Sequence, residues 1–560
     1  MSAFEEGEPT SKICFLAEAP GRVEIAKNRP LVGPSGMVWE QLIHAAGLTR
    51  AEAYLLNVFP FQVRKTAGGT IMTLDGNKLW TPKLGFTDLG EKETAETRKK
   101  LELCSANVIC AVGGVALSLV TGVSEITKWR GSILRSEYGK VIGTIHPSAT
   151  FMRGEEKEKE STKGYTSPFC IRYTIIEDMK RVKEQSAFPH VEPRNRDWQI
   201  EPTFEAAMLC LKQMNESPVV NFDVEVFWEK VDCISFARDH RVAMSIPFFT
   251  NEGPYWTPEQ EADIRVVMQT LFSNPNVLKV NQNMLFDIAI LTDLEGFELS
   301  GPFGDPMVAH RLMYPDLPAS LAYLCSTLTE EPYYKDEGRV GKDVVDWRQR
   351  WRYNAKDSCV SLECFQNMQE DLDNDGYRET YETTCRLYPA FADMMNRGFK
   401  INLDRAPEVY REVEEEFLEL ERQLKEICGD DFNFASSKQC CEYFYGTKKI
   451  KAYLNKGRPS CDKNALSRLF RTHGLQEAQL VQRLRELGKQ FPRKKGKREG
   501  KTFIEKAVDP DGRLRCSINP VMSTGRISTS QTIFGRGMNM QNINPAFLRL
   551  MEADNEEKVT

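Results

Sequence analysis

Four short apolar runs, ICFLA, AYLLNVF, NVICAV and KVIGTIH, recur between residue 12 and about 185 with longer amphipathic stretches between them. Each run has strand length and is apolar at successive positions, so it must be covered on both faces. The intervening segments are long enough to be the helices that cover it. That alternation predicts an α/β domain with a parallel sheet. A second α/β unit is expected over 203–372, where PVVNFDVEVF, CISFARD and VAMSIPF read as strands. From about 375 the period becomes helical, as in EVYREVEEEFLELERQLKEI and SRLFRTHGLQEAQLVQRLREL. FNFASSKQ between them reads as a turn entering a helix through a serine cap. Residues 153–163 and 186–202 read as solvated connectors, the second a domain linker. The fold class is therefore mixed α/β and multidomain with a mainly helical C-terminal region. The 560 residues are too many for one compact domain.

The formal charge of −6 hides a split. Residues 431–550 hold 24 Lys and Arg against 9 Asp and Glu, whereas the first 430 hold 49 against 67. One strongly basic segment on an acidic body predicts a polyanion gripped locally. The 15 cysteines show no Cys-x-x-Cys pair and lie in apolar runs, which predicts buried free thiols in a reducing compartment. No stretch reaches the roughly 18 apolar residues of a membrane span, and MSAFEEGEPTSK is no signal peptide. The expectation is a soluble cytoplasmic protein without a membrane partner.

In VVNFDVEVF, period-two geometry puts Asp223 and Glu225 on one face of a strand, where both can share a hard cation. About eleven acidic-x-acidic triplets would arise by chance at this acidic content, so the pair needs company. LKVNQNMLFDIAIL supplies Asn283 and Asp287 at helical spacing, and YNAKDSCVSLECF supplies Tyr353 and Asp357 at i, i+4. Separated carboxylates with a phenol suit two-metal phosphodiester hydrolysis, in which one cation activates water and another steadies the leaving oxygen. The ordered set resembles the 3′–5′ proofreading exonuclease domain of family A DNA polymerases, a ribonuclease H-like fold, over 203–372. The resemblance implies that Asp223, Glu225, Asp287 and Asp357 bind Mg2+ or Mn2+, that Tyr353 positions water, and that Asn283 contacts DNA.

Downstream, STGRISTS followed by NMQNINP resembles the family A segment where the thumb re-enters the palm. It implies a thumb over 373–515 and the start of a palm over 516–560, with Arg526, Gln541 and Asn542 on primer–template DNA. GKQFPRKKGKREGK, with Lys494, Lys495, Lys497 and Arg498, is expected to track phosphates without sequence preference. The palm and fingers motifs that polymerisation needs lie beyond the resembling residues. Polymerisation is therefore expected to need a palm and fingers polypeptide besides these residues.

At the N-terminus, KICFLAEAPGRVEIAKNRPLVGPSG, YLLNVFPF and VIGTIHPSAT together resemble the uracil-DNA glycosylase superfamily over 1–185. The likeness implies that Glu18 orients water, Asn57 reads a flipped uracil and His146 stabilises the departing base. Leu31 stands where the family carries a stacking aromatic. Only Cys14 stands where the iron–sulfur ligands would begin, so no cluster is expected. Active uracil excision and a retained DNA-binding fold both remain open here.

The combined expectation is the N-terminal part of a bacteriophage-type family A replicative polymerase, acting in the bacterial host cytoplasm on single-stranded and primer–template DNA. Two rivals stand beside it. One is a self-contained repair protein that excises uracil and trims 3′ ends. The other is a non-catalytic DNA-binding scaffold for a separate polymerase subunit.

Overall fold

A computed structural model describes residues 3–66, 68–151, 167–192, 194–338, 345–455, 458–488, 503–522, 524–543 and 545–554. The basic residues Lys494, Lys495, Lys497 and Arg498 and the whole charged connector at 153–163 lie outside the described residues. The chain forms two compact units, one running to Pro389 and the other from Ala390 onward, with a short exchange near 523–525. Among the described residues no helix is long and apolar enough to cross a membrane. All fifteen cysteines are free thiols, most of them buried.

The first unit opens with a six-stranded sheet of β1 (Glu5–Glu6), β2 (Ile13–Ala17), β3 (Ala53–Asn57), β4 (Val108–Val112), β5 (Ile133–Ser136) and β6 (Gly139–Thr144). Its order is β1-β3-β2-β4-β6-β5. The four middle strands are parallel, while β1 and β5 join the edges antiparallel. Every residue of β2, β3 and β4 is buried, as continuous apolar runs require. Helices α1 (Pro34–Ala45) and α2 (Pro168–Gln185) pack on this domain. A four-stranded antiparallel meander over 64–86 carries Lys65.

The same unit contains a second sheet of β7 (Asp197–Gln199), β8 (Val219–Phe227), β9 (Lys230–Ala237), β10 (Val242–Pro247), β11 (Leu278–Val280) and β12 (Phe303–Gly304), in the order β7-β10-β9-β8-β11-β12. Central β8 is antiparallel to β9 and parallel to β11. Phe222 and Val224 of β8 are buried, Phe222 edge-on to Phe272, which leaves Asp223 and Glu225 on the other face. Helix α3 (Met284–Leu294) follows β11, and the 21-residue α4 (Trp347–Asn367) lies across β8, β9 and β10.

The expected linker at 186–202 differs from a solvated connector. Residues 197–199 form the edge strand β7, paired in parallel with β10. Arg196, nearly buried, is tied to Glu331 at 3.3 Å and to Glu363 at 2.5 Å. Buried polar bonds also join the two sheets' domains. Arg130 pairs with Asp178 and donates to Ser326 Oγ at 2.9 Å, and Arg181 donates to the carbonyl of Thr329 at 2.7 Å. The connector carries arginines because backbone carbonyls and carboxylates await them there. Polarity alone made it look solvent-exposed.

In the second unit, α5 (Ala406–Cys428) buries Val409 and Val413 against Leu487, Leu514, Phe547 and Leu550. Its far end joins a second cluster around Phe444, Leu466, Leu469 and Val481. Ser436 caps α6 (Ser437–Cys441) by accepting from the Gln439 N–H. The stretch of helical period from Ser467 forms two helices, α7 (Lys463–His473) and α8 (Gln476–Leu487), separated at Gly474, whose φ of +66° ends the first. A hairpin of β13 (Ser517–Asn519) and β14 (Ser528–Ser530) carries exposed Arg526 in its loop. Exposed Gln541 donates to the Ile527 carbonyl at 2.8 Å, with exposed Asn542 beside it.

Candidate metal centre and candidate residues of the N-terminal domain

Asp223 and Glu225 of β8 and Asp357 of α4 converge, with one oxygen from each lying within 4.8 Å of the others. The strand period puts the first two side by side. The third arrives because α4 crosses the same face of the sheet. A bulge in the β8–β9 pairing between Glu225 and Val226 turns the strand just past the pair.

Asp223 is held from two sides. Asn354 Nδ2 donates to its Oδ2 at 2.9 Å, and Asn281 Nδ2 donates to its Oδ1 at 3.3 Å. Asn354 is itself fixed by Ser245 Oγ, which donates to its Oδ1 at 2.9 Å. Glu225 faces Arg350 Nη2 at 3.2 Å, while Arg350 Nε donates to buried Asp232 at 2.7 Å. Asp357 is bonded at both oxygens. The Tyr334 hydroxyl donates to Oδ1 at 2.5 Å and Lys335 Nζ to Oδ2 at 2.6 Å. Asp287 of α3, also buried, accepts the Val224 N–H at 3.1 Å.

Burial raises Asp223 and Glu225 above the ordinary carboxylate range, and their negative neighbours raise them further. Asp287 rises well above it through burial and the charge of Asp223. Burial works against the Lys335 ammonium, but Asp357 and the other carboxylates hold its pKa above the usual lysine value. Burial and Asp357 push the Tyr353 phenol far above its ordinary value, so it is a hydrogen-bond donor and not a base. Hard oxygen donors that repel one another at this separation fit a divalent cation such as Mg2+ or Mn2+.

Asn283 caps α3 at φ +61°, exposed, with its N–H given to Asp305 Oδ1 at 3.1 Å. Sequence reasoning missed Arg350 and Asn354, although 350, 353, 354 and 357 share one helical face, a signal that was there to be found. Tyr334, Lys335 and Asn281 offered no such period. The first two come from an irregular segment, and Asn281 precedes the helix whose spacing drew attention to Asn283.

In the N-terminal domain, buried Glu24 Oε1 accepts the Gly33 N–H at 2.7 Å and so closes the Gly/Pro loop. Glu18 forms an ion pair with Lys65 at 3.1 Å. The Ser148 N–H donates to His146 Nδ1 at 3.2 Å, which requires a lone pair there and leaves the ring proton on Nε2. Burial lowers the His146 pKa more than Glu18 raises it, favouring the neutral ring. Gly113, at φ +96°, lets His146 approach; a side chain there would bring its Cβ to 3.3 Å from that of His146. Asn57 is buried and donates its amide to the Ala3 carbonyl at 3.0 Å. Leu31 is buried at a left-handed φ of 50°.

Residues 4–166 match the Uracil DNA glycosylase superfamily. Residues 199–373 match the 3′-5′ exonuclease family. The chain is 28% identical over 184 residues to the Type-4 uracil-DNA glycosylase of Thermotoga maritima, covering 32% of this chain and 79% of that one. It is 25% identical over 377 residues to DNA polymerase I of Pseudomonas aeruginosa, covering 61% of this chain but 40% of the relative's length. A solved structure, the POL domain of Pol1 from M. smegmatis in complex with DNA primer-template and dNTP, is similar with a TM-score of 0.46 at 17% identity, covering 63% of this chain and 57% of that one. The chain thus joins a uracil-DNA glycosylase-like domain to a 3′–5′ exonuclease domain of the DNA polymerase I kind.

Proposed function

We propose that this chain removes nucleotides from DNA 3′ ends in a divalent-metal-dependent reaction, as the proofreading part of a family A replicative polymerase. The observation that supports it is the convergence of Asp223, Glu225 and Asp357 inside the region matching the 3′-5′ exonuclease family. Bound Mg2+ or Mn2+ would supply a Lewis acid for the attacking water and the leaving 3′ oxygen. Asp223, Glu225 and Asp357 would hold it, with Asp287 behind them. Tyr353, a protonated phenol directed at Asp357, would orient the water through its hydroxyl oxygen. Arg526, Gln541 and Asn542 would touch primer–template DNA from the thumb and palm entry.

A 5′-labelled single strand incubated with the protein and Mg2+ tests this reading. A ladder of products shortened from the 3′ end, abolished in Asp223→Ala/Glu225→Ala, is the expected result. Full-length label with the unaltered protein would overturn it.

For the glycosylase-like domain we favour a DNA-holding role over efficient uracil excision. Leu31 carries that reading, because a buried aliphatic side chain cannot stack on an extruded base as an aromatic ring does.

A further inference from the structure

The segment 333–338 is built into the nuclease centre, although no motif marks it. The Tyr333 N–H donates to Ser132 Oγ of the glycosylase-like domain at 3.0 Å, and its ring meets Trp129 edge-on at 5.3 Å. Asp336 pairs with Lys128 at 3.2 Å. Between these anchors, Tyr334 is buried and bonds Asp357 Oδ1, and Lys335 Nζ bonds Asp357 Oδ2 while lying 4.4 Å from the Tyr353 ring centroid. Both oxygens of one expected metal ligand are therefore already engaged. The ammonium on one of them is held by a segment pinned at both ends. An unanchored surface lysine would pay a large rotamer cost to stay there.

We propose that Lys335 is a catalytic residue of this exonuclease, a resident cation beside the divalent-metal ligands that contacts the scissile phosphate. The inference rests on the nuclease reading above. In the reaction the water oxygen bonds to phosphorus, the bond from phosphorus to the 3′ oxygen breaks, and the water's proton passes to solvent. The leaving 3′ oxygen takes a proton from solvent. Lys335 keeps its own protons throughout and stabilises charge on the phosphoryl oxygens.

The test compares full-length wild type, Lys335→Met and Lys335→Arg. It measures Mn2+ binding by calorimetry, with Asp223→Ala as the blank for this site, and 3′ shortening of a labelled strand at saturating Mn2+. Lys335→Met is expected to bind Mn2+ as tightly as wild type or more tightly and to cleave about a hundredfold more slowly, with Lys335→Arg partly restoring the rate. Cleavage by Lys335→Met at the wild-type rate would overturn the proposal, because the ammonium would then be a placeholder that metal displaces. Slow cleavage with weakened Mn2+ binding would also overturn it, because Lys335 would then only hold Asp357 in place. If wild type itself leaves the strand intact, the nuclease reading fails and this inference fails with it. That outcome differs from an active wild type matched by an active Lys335→Met.

Discussion

Arg350 Nη2 lies 3.2 Å from Glu225 Oε2, and the same guanidinium grips Asp232, which is fully buried, through two bonds of 2.7 Å. Glu225 is thus aimed by a charge that a second carboxylate holds in place. Arg350→Ala would strand Asp232 without a partner, at a cost of about 3–5 kcal/mol in stability. Replacing both members, as Arg350→Met with Asp232→Leu, should recover most of that stability, because an apolar pair of similar volume is often neutral. The double variant should still cleave about ten- to a hundredfold more slowly than wild type, since Glu225 loses its orienting partner. Denaturant melts paired with a 3′-end shortening assay separate the two effects. A double variant with both stability and full activity would show that Glu225 needs no such support.

Gly338 touches the ring of Tyr353 so closely that an added Cβ would lie 2.5 Å from its Cζ. Gly338→Ala must therefore push the phenol away from Asp357 or displace the segment carrying Lys335. We expect kcat to fall about tenfold or more with little change in melting temperature. Tyr353→Phe should fall at least as far, because the water loses the hydroxyl that orients it. If Gly338→Ala acts only by moving the phenol, the combined variant should be no slower than Tyr353→Phe alone. Additive losses would place the effect of Gly338 elsewhere.

Much of this centre was legible because its parts obey simple periods. Asp223 and Glu225 alternate along a strand, and Tyr353 and Asp357 stack along a helix, so sequence spacing alone carried their common face. The apolar runs of β2, β3 and β4 announced a parallel sheet for the same reason. Tyr334 and Lys335 were invisible because their placement depends on Ser132 and Trp129, some two hundred positions away, and on no local repeat. The 186–202 segment misled in the opposite direction. Its arginines looked solvated, yet Arg194 and Arg196 serve carbonyls and carboxylates brought in from 330–331 and 363. The break at Gly474 was written in the sequence but overridden by the amphipathic period running on either side of it.

Leu31 offers a direct test of the glycosylase-like domain. Base stacking on an aromatic ring is worth about 1–3 kcal/mol, so an aliphatic side chain at the same place forfeits roughly a factor of ten or more. Leu31→Phe should raise the yield of alkali-labile sites in a uracil-containing oligonucleotide about tenfold above wild type. His146→Ala in the Leu31→Phe background should abolish the gain. Equal yields from wild type and Leu31→Phe would mean that the missing ring is not what limits excision.

The ion pairs of Glu6 make the loop bearing Leu31 a site of expected pH sensitivity. Arg50 donates to Glu6 Oε2 at 2.6 Å and to the Leu31 carbonyl at 3.0 Å, and Arg29 donates to Glu6 Oε1 at 2.7 Å. Burial alone would raise the Glu6 carboxyl, but the two arginines outweigh it and hold it at about 2, against an ordinary value of 4.5. A carboxyl depressed in the folded state contributes stability above its unfolded pKa and loses it as pH falls toward the folded value. The contribution should therefore be complete above about pH 5 and decline from pH 4.5 toward 2. In Glu6→Gln the melting temperature should be lower at neutral pH and should fall less steeply across that window. Hydrogen-exchange protection of a peptide spanning 28–33, taken relative to the intrinsic rate at each pH, should fall in the variant at neutral pH and in wild type only on acidification. Identical acid profiles for the two proteins would show that Glu6 does not hold this loop.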